Sequence, residues 1–512
     1  MICGSFHSLS EIMAFHRLDR LLANSAGAGG EIEEIDASLP GSGASPQADP
    51  AQSEALGNAP AWGQAGPRGI SATAAVLQSI SAKVLIIGVN ILTGILSARS
   101  LRPEGRGELA AMILWPVFLA SVLSLGVPSA LTFQLKRNPG KQSQLMGAAL
   151  LLAILAGAVA VLLGGFFMGA WIPQYPPRVI LFARLLLLTA PVGTLLAVGR
   201  AGLESRGDFT ASNKILIWSP ACTLFCLVAL RAAHALTPFS ASLAYVPVGI
   251  GPMVWMVFRL WRTFRPCLQD FRQSARQLFS YGIRSYGIDL CGTMSLYVDQ
   301  ALVVRLLAPD QMGTYVVALS LSRMLNLFHT SVVMVLFPKA VSRRPREVAA
   351  MTSRAMRMST ILCVLAGIGI AAVGPSALSL LYGKEFRGAG MALRLLVLEV
   401  VLGGAAQVLS QAFMALGRPG VITGLQVFGL ALTVPLMLLL VPRFGIAGAG
   451  AAMLGSTVAR LAFVVASFPL FLKMRVPRLL PQFEDLRFMA GTIERGLHRF
   501  RGVAMVAVEG TD

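Results

Sequence analysis

Between about residues 75 and 472 the chain alternates apolar stretches of about 20 residues with short polar breaks. As a helix, each stretch is long enough to cross a hydrocarbon core of about 30 Å. Twelve such spans are predicted. Six lie at about 75–98, 108–134, 144–170, 178–203, 213–233 and 239–261. Six more lie at about 282–307, 312–337, 358–382, 389–415, 420–441 and 446–472. The pattern predicts an all-α integral membrane protein of about 12 transmembrane helices.

The two sets of six are related. Leu101-Arg-Pro103-Glu104-Gly-Arg-Gly107 follows the first span, and Leu307-Ala-Pro309-Asp310-Gln-Met-Gly313 follows the seventh, 206 positions on. Arg184-Leu-Leu-Leu-Leu is answered by Arg394-Leu-Leu-Val-Leu at an offset of 210, and Arg206 by Arg418 at 212. Slowly growing offsets are what duplication followed by small loop insertions leaves behind. An even number of spans per copy gives both copies the same orientation. The expected architecture is two parallel six-helix repeats around a central cleft, an arrangement used by transporters whose halves rock.

The expected organisation is a disordered cytoplasmic tail at 1–72, a first bundle at 73–261, an interfacial linker at 262–281, a second bundle at 282–472 and a basic cytoplasmic tail at 473–512. Gly, Ala, Ser and Pro dominate from Asn24 to Gly69, a composition that cannot bury a core. Within the linker, Phe271, Leu278 and Phe279 interleave with Arg272 and Arg276, as in a helix lying at the membrane surface. No signal peptide opens the chain, and Met13–Ala23 is a short amphipathic candidate.

Composition agrees with the periodicity and charge orients it. The chain is 55% hydrophobic and 13% charged, against roughly 25% charged in soluble proteins. The net charge is +19. One set of connections is basic, at Lys136, Arg137 and Lys141, at Arg259 to Arg276, and at Lys339 to Arg357, whereas the opposite set is poor in cations. By the positive-inside rule both termini are cytoplasmic. The first hinge, with Arg99, Arg102 and Arg106, is the exception. The excess charge is read as orientation and attraction to anionic lipid, with no nucleic-acid partner. No P-loop, external catalytic domain, cofactor signature or metal-type His and Cys cluster is present in the sequence.

Polar residues inside spans are expensive and mark function or helix–helix hydrogen bonds. Lys83, Asn90 and Gly94 fall in one wedge of the first span. Asp289, Asp299 and Gln300 lie on the seventh, Arg323, Asn326 and Thr330 on the eighth, and Glu399, Gly403, Gln407 and Gln411 on the tenth. Stripes on four helices predict a polar lumen. The repeat maps Lys83 onto Asp289, which gives two readings, a charge pair that latches one state or a static buried pair. Arg184 and Arg394 form a second symmetric pair. They either hold an anion between them or snorkel to the outer interface. Asp299 can also serve only the hinge, together with Arg305.

Several motifs are similar to those of a known family. They are the two hinge motifs, Leu125-Gly-Val-Pro128, Tyr297-Val-Asp299-Gln, Gly313-Thr-Tyr315, Leu381-Tyr-Gly383-Lys-Glu-Phe386, Ala415-Leu-Gly417-Arg418-Pro419 and Pro442-Arg-Phe-Gly445-Ile-Ala-Gly-Ala449. In order and spacing, over about residues 75–475, they resemble the polysaccharide transporter (Wzx-like) branch of the multidrug/oligosaccharidyl-lipid/polysaccharide exporter superfamily. The resemblance implies a MATE-like fold in the bacterial inner membrane. It implies flipping of polyprenyl-pyrophosphate-linked oligosaccharide for surface polysaccharide synthesis, with a polysaccharide polymerase and chain-length proteins as partners. Substrate-binding candidates are then Lys83, Asn90, Arg184, Arg323, Asn326, Arg394, Gln407 and Gln411. Ion-coupling candidates are Asp289, Asp299 and Glu399. The rival readings are a MATE-type cation-coupled drug antiporter and a membrane-embedded polymerase or glycosyltransferase. The latter lacks an Asp-x-Asp pair or large outer loop in this sequence.

Overall fold

A computed structural model describes residues 72–340, 343–474, 476, 478 and 479, with the side chains of 72–84, 284, 285, 288, 289, 335 and 337–339 excepted. The expected N-terminal tail, its Met13–Ala23 helix and nearly all of the C-terminal tail lie outside the described residues. Residues 75–493 form one compact unit, and 1–74 with 494–512 a second, of which only 72–74 are described.

Among the described residues every regular element is helical. In chain order they are α1 (Ala72–Leu123), α2 (Val127–Arg137), α3 (Gln142–Trp171), α4 (Pro177–Leu186), α5 (Ala190–Ser205), α6 (Phe209–Ala232) and α7 (Pro238–Phe264). The second half holds α8 (Phe271–Leu306), α9 (Pro309–Arg323), α10 (Asn326–Ala340), α11 (Pro345–Ala377), α12 (Gly390–Ala415) and α13 (Pro419–Leu472). Eight helices are long and apolar enough to cross a membrane, or nine if α9 and α10 form one span bent by 42°. The number differs from the expected twelve for three physical reasons. Helices α1 and α13 each run two expected spans together through a hinge, at Arg102 (φ 59°) and Gly445 (φ 58°). Helix α8, with Arg284, Asp289, Asp299 and Arg305, is too polar to be counted. The α9–α10 pair is broken.

Proline chemistry accounts for the breaks before Pro103 and Pro309. Pro103 and Pro309 disfavour helical backbone in the residue before them, so Arg102 and Ala308 leave the helix (ψ 177° and 160°). Leu125 and Gly126 both take positive φ, which parts α2 from α1 just before Pro128. Residues 262–281, expected as a separate linker, are divided between the end of α7 and the first turns of α8.

Packing differs between the two ends of the unit. At the hinge end one continuous apolar core takes Met112, Trp115 and Met168 from the first half and Tyr315, Phe386 and Leu393 from the second. Away from it each half keeps a core of its own, around Leu131, Met146 and Leu260 in the first and Leu409, Phe413 and Phe468 in the second. The halves therefore share a core at the hinge end, and toward the other end α8 still packs on the first half, with Gly282 against Gly126, Tyr281 stacked on Phe133 and Leu278 in the first core. Outward faces are apolar, with Leu162, Phe166, Phe225, Leu380 and Leu470 exposed, as suits lipid.

Candidate functional site

The hinge end is closed by the repeated motif itself. A Cβ on Gly107 would overlap the Pro309 carbonyl, and a Cβ on Gly313 would overlap the Pro103 carbonyl. Each copy of Leu-x-Pro-(Asp/Glu)-x-x-Gly thus presses its glycine onto the proline carbonyl of the other, across the pseudo-two-fold. Only glycine permits that approach. Around this clasp, Arg99 donates through Nε to the Leu381 carbonyl at 2.7 Å and also bonds the Leu380 carbonyl. Arg102 meets Glu385 at 3.8 Å in an exposed ion pair.

Beneath the clasp lies a cavity of about 240 Å³ between the halves. From the first half α1 presents Ile87, Asn90, Ile91 and Gly94, spaced i, i+3, i+4, i+7 and so on one face, and, beyond the hinge, Arg106. From the second, α9 presents Val317, Ser320 and Arg323, joined by Met324 and Tyr382. The Tyr382 ring packs beside Gly94 on the hinge side, 3.8 Å from where a Cβ would stand.

Two guanidinium groups face this cavity and differ in their partners. Arg106 makes no ion pair among the described residues, and its buried Nε has no hydrogen-bond partner. Arg323 is held from the far side. Its Nη2 donates to Asp299 Oδ2 at 3.3 Å and to the Leu296 carbonyl at 3.1 Å. Asp299 is fully buried, its Oδ2 also accepts from the Tyr315 hydroxyl at 2.8 Å, and its Oδ1 has no partner. Together these groups make a positively biased pocket suited to an anion, with guanidinium geometry matched to phosphate oxygens.

A second polar cluster sits inside the second half. Glu399 of α12 accepts from Thr457 Oγ1 at 2.8 Å and faces Arg460 at 3.7 Å, both from α13. Nearby, His329 is fully buried over Gly404, both ring nitrogens lack partners, and a Cβ on Gly404 would overlap the ring.

The sequence candidates divide accordingly. Asn90 and Arg323 line the cavity, and Asp299 holds Arg323 from behind. Glu399 belongs to the second cluster. Gln407 is exposed and Gln411 half-buried further along α12, and half-buried Asn326 opens α10. Neither Arg184 nor Arg394 lines the cavity. Arg184 shares the exposed face of Leu181, Leu185 and Leu188, and Arg394 lies about 40° from exposed Leu398 at 100° per residue. The side chains of Lys83 and Asp289 lie outside the described residues, and with them the expected pair. Arg106 was missing from the candidates, although its place in a hinge that breaks the charge rule was a usable signal.

Comparison with known proteins fits this geometry. A family profile described as "Polysaccharide biosynthesis protein" matches residues 96–391. The probable low-salt glycan biosynthesis flippase Agl15 of Haloferax volcanii is 25% identical over 184 residues. That stretch is 35% of this chain and 39% of the relative, so the match spans well under half of either. Among solved structures, the lipid II flippase MurJ in an inward closed conformation superposes with a TM-score of 0.67 at 15% identity, covering 83% of this chain and 93% of that one. An inward-facing MATE-family multidrug resistance transporter of the MOP superfamily gives 0.63 at 14%, covering 78% and 99%. The fold is therefore that of these membrane transporters. Because the profile spans more than half of its length, the chain belongs to the polysaccharide biosynthesis protein family.

Proposed function

We propose that the protein is a flippase carrying polyprenyl-pyrophosphate-linked oligosaccharide across the bacterial inner membrane for surface polysaccharide synthesis. The observation that carries this reading is the cavity between the halves, where Arg106 makes no ion pair among the described residues and one side of Arg323 lines the cavity. A pyrophosphate supplies the missing negative charge, and paired guanidinium groups bind it bidentately. Family membership supports the same class of substrate.

The size of the cavity limits what it holds. At about 240 Å³ it lies below the roughly 300–1,000 Å³ of drug-sized sites. It has room for the diphosphate and the first sugar. The remaining sugars extend toward the open end, where Gln407 and Gln411 offer hydrogen bonds, and the lipid tail stays in the bilayer. With both termini cytoplasmic, as the basic connections argue, the hinge end faces outward and this closed form receives substrate from the cytoplasm. Rocking of the halves would break the Gly107–Gly313 clasp and release the glycan outward, with no bond of the substrate made or broken. A polymerase and chain-length proteins would then use it.

The test is a deletion strain complemented with wild type, Arg106→Gln or Arg323→Gln. A membrane-impermeant reagent reports the leaflet of the lipid-linked glycan, and surface polymer is measured alongside. Glycan-lipid trapped on the cytoplasmic side in the deletion and both variants is the expected result. Normal surface polymer together with new sensitivity to cationic drugs would instead identify an antiporter.

A further inference from the structure

Arg323 faces two ways. One side of its guanidinium lines the central cavity, and the other holds a fully buried carboxylate. We infer that Arg323 exchanges partners, leaving Asp299 for a phosphate oxygen when an anion enters the cavity, and that Asp299 then takes up a proton. The inference rests on the anion-site reading above and deepens it by naming what balances Arg323 when the site is empty.

Charge counting motivates it. A diphosphate diester carries two negative charges. Arg106 and Arg323 match them only if Asp299 contributes none. In the empty cavity the Asp299 carboxylate neutralises Arg323, so no second naked cation faces the apolar walls.

The surroundings of Asp299 show why a proton must replace the guanidinium. From α9 it meets Tyr315 and Arg323. Helix α12 offers only Glu399, an anion, whose own cation is Arg460 of α13. Helices α3, α13 and α2 also pack along α8: α3 has no titratable residue between Gln142 and Trp171, α13 carries only Arg460, held on Glu399, and the exposed Arg443, and α2 carries Lys136 and Arg137 in its last turn. On α8 itself Arg305 is exposed and donates to the Ala170 carbonyl. With Arg323 gone, the carboxylate keeps one hydrogen bond, from the Tyr315 hydroxyl, and has one bare oxygen. A buried carboxylate so placed is too costly to remain charged. The proton joins Asp299 Oδ1, the oxygen without a partner, and is drawn from the bulk buffer through the open side of the cavity, so that one proton is removed from solution per exchange.

The test is calorimetric titration of the full-length purified protein with inorganic pyrophosphate, in two buffers of different ionisation enthalpy. The difference gives the protons taken up per anion bound. Ionisation of pyrophosphate itself is removed by comparison with Asp299→Asn. Wild type is expected to take up about one proton more than this variant, and the variant to bind more tightly because the internal competitor is gone. Tyr315→Phe, which leaves the ion pair in place, is expected to keep the extra proton and guards against misfolding of the first variant. Equal uptake by wild type and Asp299→Asn would overturn the exchange, since Arg323 would then bridge both anions. Absence of pyrophosphate binding to wild type would overturn the anion site and the exchange with it.

Discussion

Replacing Gly107 by alanine tests whether the reciprocal clasp is a gate. The added methyl meets the Pro309 carbonyl, which is backbone at the start of α9 and cannot rotate away as a side chain would. Helices α1 and α9 must part by roughly 1.5 Å, and the mirror contact of Gly313 on Pro103 loosens with them. Overpacking of this kind costs about 1–3 kcal/mol. The cost falls on the state closed at the hinge end, because only there do the two motifs touch. At about 1.4 kcal/mol per factor of ten, the equilibrium should move toward opening by roughly 5- to 150-fold. The exposed Arg102–Glu385 pair supplies the reporter. In a chain whose six native cysteines are replaced, Arg102→Cys with Glu385→Cys should cross-link rapidly when the end is closed. Gly107→Ala should slow that cross-linking and lower flipping together, and Gly313→Ala should do the same. Gly165→Ala on α3, where a Cβ meets nothing within 4 Å, is the control and should change neither. Cross-linking by Gly107→Ala within about twofold of the parent would refute the gate.

Other predictions follow from single contacts. Arg106→Lys should retain part of the flipping that Arg106→Gln loses, because charge survives while the bidentate geometry does not; the leaflet assay reads the difference. Arg184→Gln and Arg394→Gln should leave flipping near wild type, since both side chains lie on exposed apolar faces; loss in either would put an anion site at that level. Gly404→Ala should destabilise the second half by about 1–3 kcal/mol through overlap with His329. The double variant with His329→Ala should recover much of that in thermal unfolding, and failure to do so would locate the strain elsewhere. Glu399→Ala strands Arg460 without a carboxylate and should cost about 3 kcal/mol, visible as a lower melting temperature, while Glu399→Gln, which keeps an acceptor for Thr457, should cost less.

Much of the fold could be read from periodicity. Apolar runs, proline hinges and offsets near 206–212 indicated a duplicated helical membrane protein, and the motifs pointed to the family whose profile matches. The site was legible in part. Asn90 and Arg323 were found because a polar group in an apolar helix is costly wherever it lies. Arg106 was noted only as part of a basic hinge and not as a site candidate, because it follows the span and lies in a cluster of three arginines. Arg184 and Arg394 are equivalent in the repeat, which left two readings open, a shared anion or snorkelling to the outer interface. Symmetry equates positions along helices, but each helix is rotated by its own neighbours, and these two turn toward the leucine-rich outside.

The sequence by itself determined the class, the duplication and the helix-breaking points. These depend on local physics, namely the cost of backbone and charge in lipid and the restriction that proline places on its predecessor. Tertiary structure alone decided which pieces meet. The clasp of Gly107 on Pro309 and Gly313 on Pro103, the Tyr382 ring beside Gly94 and the hold of Asp299 on Arg323 join residues from 24 to almost 300 positions apart. Such contacts depend on how two halves are tilted and rotated against each other. That geometry is set by the sum of many weak packing contacts across the bundle, and no single stretch of sequence encodes it.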